Sequence, residues 1–60
     1  MSRYIVSTEP RMLDIVERLM VERGIVIVSR EEMFETLEIE TNDPLMVSQI
    51  EGVLEIRVAS

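Results

Sequence analysis

The chain carries one pattern twice. Residues 4–13 read YIVSTEPRML and residues 38–47 read EIETNDPLMV, each an apolar, strand-like run ending in a polar cap, an acid and a proline before a helical pattern. Each helical stretch closes with a glycine followed by a second apolar run, Gly24 before IVIV and Gly52 before VLEI. Proline suits the first helical turn, and glycine takes positive φ without a Cβ clash just past the last one. Thr8 and Asn42 stand 34 positions apart but Gly24 and Gly52 only 28, so the second helix is shorter by six residues. Strand, helix, strand, repeated, excludes an all-helical or all-β chain.

In the first unit, residues 3–7 read as a strand and Ser7-Thr8-Glu9-Pro10 as a helix cap. From Met12 the apolar residues Met12, Leu13, Ile15, Val16, Leu19 and Met20 fall on one helix side, with Asp14 and Arg18 an i,i+4 pair opposite. Residues 25–29 are strand-like, 30–33 turn-like, and 34–41 alternate as a half-buried return. Residues 42–51 form a capped short helix and 53–58 the last strand. Right-handed crossovers in both units, with a hairpin between them, lead to one solution. It is an α+β, ferredoxin-like βαββαβ domain over residues 1–60, a four-stranded antiparallel sheet of order 4-1-3-2 with both helices on one face. If Ile5 and Ile39 face the helices, Tyr4 and Val6 point the other way beside Glu38, Glu40 and Glu55, an apolar strip rimmed by acids.

Sixty residues bury a small core, and 47% apolar content argues against disorder. Cysteine is absent, which fits a reducing, cytoplasmic setting, and neither a signal peptide nor a membrane span is legible. Without His, Cys or Lys the five serines have no activating base, so the expectation is a non-enzyme without cofactor. Metal binding is not expected either, because residues 41–43 lack the spacing of a calcium loop. The net charge of −6 falls wholly in residues 30–60, where eight acids meet only Arg30 and Arg57. That field repels nucleic acids and anionic membranes and favours a protein partner. The run Arg30-Glu31-Glu32 reads as a solvated hairpin turn.

The opening YIV at residues 4–6, the helix closed by Gly24, the strand at 34–41 and the closing GVLEI at 52–56 resemble the propeptides of subtilisin-type proteases and their free inhibitor relatives. The resemblance implies an inhibitor or modulator whose open sheet face docks on a partner protein, a protease, while the C-terminal end enters its substrate cleft. The docking residues it implies are Tyr4, Val6, Glu38, Glu40 and Glu55, with Val58, Ala59 and Ser60 as the tail. The order is equally similar to ACT regulatory domains, homodimers that bind amino acids near the first strand-helix turn. Here that turn is Thr8-Glu9-Pro10-Arg11, with Arg11 where that family usually has glycine. A third reading is an acidic mimic of DNA.

Overall fold

The computed structural model describes residues 1–59. It is an α+β domain: a four-stranded, fully antiparallel open sheet and two helices. The elements run β1 (Ser2–Thr8), α1 (Leu13–Glu22), β2 (Val26–Glu31), β3 (Thr36–Thr41), α2 (Pro44–Ser48) and β4 (Val53–Val58). Neighbouring strands follow the order β2-β3-β1-β4, so β1 and β3 are central.

Leu13, Val16 and Met20 recur at helical spacing along α1 and are buried, as are Val47 of α2 and Ile50 just beyond it. They close over Val6, Leu37 and Ile39 of the central strands in one cluster. Burying such aliphatic side chains contributes about 1.5–3 kcal/mol each.

Both glycines have positive φ, as expected, but only Gly24 closes its helix: α2 ends at Ser48 rather than at residue 51, and Gly52 lies in the turn before β4. At Gly24 the α1 terminus is a Schellman motif: the Ile25 N–H donates to Met20 O and the Gly24 N–H to Val21 O, both at 3.0 Å. Nothing lies within 4 Å of a Cβ built there, so only the φ of 76° requires glycine. At Gly52, with φ of 93°, a Cβ would stand 2.7 Å from Val16 Cγ2 and 2.8 Å from Met12 Cε. There α1 packs directly on the backbone.

The helix starts also differ. Asp43 caps α2, its Oδ1 accepting the Met46 N–H at 3.1 Å, with Pro44 in the first turn. The expected cap at residues 7–10 fails: α1 begins at Leu13, Met12 stands at its N-cap without a side-chain bond, and the Thr8 hydroxyl instead donates to Glu35 O. Asp14 pairs with Arg30 at 2.6 Å rather than with Arg18, because Arg30 projects from the end of β2 against α1. The hairpin is shifted too. Its turn spans residues 32–35, so Phe34 belongs to the turn and β3 starts at Thr36.

Candidate interaction surfaces

Residues directly opposite in an antiparallel pair share a face, so the register fixes both faces. Val6 lies opposite Leu37 and Ile56, and Tyr4 opposite Ile39 and Val58. This is the covered side. The expectation that Val6 points outward is therefore corrected: it is 0% exposed in the core, and Tyr4 is half-buried against the same cluster. The reason lies in β1, where Tyr4, Ile5 and Val6 are all apolar and alternation cannot choose between the two phases.

The bare side carries Arg3, Ile5 and Ser7 of β1 opposite Glu40, Glu38 and Thr36 of β3, with Arg57 and Glu55 of β4 beside Ile5 and Ser7. None of these eight is buried. Instead of an apolar strip rimmed by acids, the face is a charge lattice around Ile5, with Val26 of β2, opposite Glu40, at its edge. Arg3 Nε donates to Glu40 at 2.9 Å, its Nη1 lies 3.7 Å from Glu38, and the Ser29 hydroxyl donates to Glu38 at 3.5 Å. The hydrogen bond from Arg3 to Glu40 raises the pKa of its guanidinium. Of the expected docking set, Glu38, Glu40 and Glu55 do share this face. Val58 is exposed near the end of β4 on the other side, Ala59 donates its N–H to Arg3 O, and Ser60 lies outside the described residues.

The largest exposed apolar side chains at any turn are Met33, 85% exposed, and Phe34, 74% exposed, at the β2–β3 hairpin tip. The tip is pinned from both flanks. On one side, the Thr8 N–H donates to Glu35 O at 3.0 Å, and the Arg11 N–H donates to Glu35 Oε2 at 2.8 Å. On the other, Arg30 bridges Asp14 and Glu17 of α1 and Glu32 of the turn. Hydrogen bonds to Asp14 and Glu17 push the Arg30 guanidinium pKa upward. The run Arg30-Glu31-Glu32 is thus a clamp as well as a solvated turn. Arg11 and Glu35, with φ of 67° and 52°, are the positive-φ residues other than glycine among the described residues, and they meet at this corner. Left-handed backbone at ordinary residues costs about 1 kcal/mol or more and persists only where surrounding contacts hold it.

The sequence places this turn at residues 30–33, two residues early, because residues 30–35 lack Gly, Pro and Asn, the usual turn markers, and the contacts of Glu35 with Thr8 and Arg11 have no local signal. Elsewhere a groove of about 430 Å3 lies between the helices, lined by Leu19, Arg23, Met46, Gln49, Ile50 and Glu51. Among the described residues, no cluster of three His, Cys, Asp or Glu side chains could hold a metal ion. No helix among them is long and apolar enough to cross a membrane. No protein-family model, curated protein or solved structure matches the chain.

Proposed function

We propose that the chain is a small, non-enzymatic protein-binding module of ferredoxin-like architecture, an inhibitor or modulator of a partner protein. One observation carries this reading: Met33 and Phe34 stand almost fully exposed on a hairpin tip anchored to both the β1–α1 turn and α1. An exposed aromatic on a preorganised turn loses little conformational entropy on docking and matches the rigid anchors that dominate interface energetics. Glu31, Glu32 and Glu35 flank the pair, so the complementary site is an apolar socket with a basic rim. The open-face residues Glu38, Glu40 and Glu55 contribute long-range steering in this reading, and Val6 contributes to the core alone.

The test is capture from an extract of the source cells on immobilised wild-type chain and on Phe34→Ala, Met33→Ala and Ile15→Ala variants. Ile15 is exposed on α1, away from the tip in sequence, and serves as the control. A partner retained by wild type and Ile15→Ala but lost from Phe34→Ala supports the tip as the anchor. Equal retention by all four chains contradicts it.

A further inference from the structure

β4 is an edge strand, and its chemistry is self-complementary. The Ala59 N–H donates to Arg3 O at 3.0 Å, and the register continues through Tyr4 opposite Val58, Ile5 opposite Arg57, Val6 opposite Ile56 and Ser7 opposite Glu55. Antiparallel pairs alternate between hydrogen-bonded and non-bonded. With residues 3 and 59 bonded, Arg57 and Glu55 also turn their backbone groups towards β1. The N–H and C=O groups of Ile56 and Val58 then point away, along the free edge.

The other edge is less able to accept a strand. In β2 the register shifts between Ile27 and Ser29, which places a bulge at Val28 in mid-strand, and bulges are a recurrent way to blunt an edge. In β4 the register shifts between Ser7 and Thr8, which places the bulge at Leu54, near the start of the strand, and residues 55–58 stay regular. Glu55 and Arg57 share the bare face two residues apart, and among the described residues neither forms an ion pair within the chain. Leu54 and Val58 are 63% and 70% exposed on the same strand.

We infer that β4 pairs antiparallel with β4 of a second copy about a twofold axis at Ile56, giving a continuous eight-stranded sheet. That register sets Glu55 opposite Arg57 of the second copy, Arg57 opposite its Glu55, and Leu54 opposite its Val58. The new backbone bonds run through Ile56 and Val58, whose N–H and C=O groups face outward. The charged pairs occupy the non-bonded positions, where opposing side chains approach most closely. A twofold at Glu55 or at Arg57 would oppose identical charges. A twofold contact joins the same patch on both copies, so each complementary pair occurs twice. The charges select the register, while the backbone ladder and the apolar pair hold it.

This inference is independent of the hairpin-tip reading, and sedimentation equilibrium at about 0.15 M salt, where the repulsion between two net-negative chains is largely screened, tests it. Wild type should approach 14.0 kDa, twice the 7.0 kDa chain mass, as concentration rises. Glu55→Arg alone and Arg57→Glu alone should each raise the dimer dissociation constant at least about tenfold. An equimolar mixture of those two variants should return to the dimer mass, since every Arg then faces a Glu. Val58→Pro, which removes an outward N–H and spares the β1 ladder, should be monomeric with an unchanged far-ultraviolet spectrum. A wild type that stays at 7.0 kDa up to millimolar concentration overturns the proposal, as does a Val58→Pro chain or a single charge variant that dimerises as well as wild type.

Discussion

On one side of the sheet Val6, Leu37 and Ile39 lie together at 0% exposure, and one residue along the same strands Ile5, Glu38 and Glu40 stand half-exposed among charges. The two sides therefore have different energetics although they share a backbone. Val6, Leu37 and Ile39 on the covered side displace water and pack in one cluster with residues of both helices, so the loss of one leaves a cavity. Arg3, Glu38 and Glu40 on the bare side exchange hydration for screened ion pairs, so the loss of one leaves little behind. Stability resides on one face, and the second is free to vary with whatever the chain must meet. Large exposed apolar side chains stand at the hairpin tip (Met33, Phe34), on the β4 edge (Leu54, Val58) and on the helices (Val21, Leu45).

The contrast can be broken in descending steps, each read as a shift in urea midpoint converted through the slope of the transition. Leu37→Ala, in the middle of the covered face, should cost about 3 kcal/mol, enough to leave much of a 60-residue domain unfolded. Gly52→Ala should cost about 2–3 kcal/mol, combining unfavourable φ with the 2.7 Å approach to Val16. Gly24→Ala has only the φ to oppose it and should cost about 1 kcal/mol. Equal costs at the two glycines would mean that the duplicated motif is duplicated in packing as well. Asp43→Ala removes the α2 cap and should also cost about 1 kcal/mol. At the bottom of the scale, Phe34→Ala should stay within about 0.5 kcal/mol of wild type, and Arg3→Ala should leave the midpoint unmoved. A large loss at either would mean that the exposed sites carry structural weight.

Much of the frame is legible in the sequence. The α+β class, the alternation of strands and helices and the positive φ at Gly24 and Gly52 follow from periodicity and punctuation, which are local signals. What escapes is decided at a distance. The phase of β1 depends on its partners, because Tyr4, Ile5 and Val6 are each apolar enough to face in. The α1 start moves to Leu13 because Thr8 donates to Glu35, 27 residues away, instead of capping its own helix. The hairpin turn at residues 32–35 forms from Glu, Met and Phe, with Glu35 held at positive φ by contacts to the β1–α1 turn. Alternation alone places the acids Glu38, Glu40 and Glu55 together, but the Arg3 counter-ion of Glu38 and Glu40 and the polar character of the face require the register.

The claim that β1 turns Val6 inward and Ile5 outward governs the reading of every surface on the molecule. The chain has no cysteine, so single thiols introduced by Val6→Cys and by Ile5→Cys report on their own positions without background. Under native conditions the thiol from Ile5→Cys should react readily with a water-soluble reagent. The one from Val6→Cys should react at least about a hundredfold more slowly, its rate rising only as urea opens the domain. Comparable native rates, or faster reaction at position 6, would contradict the assignment of the two faces.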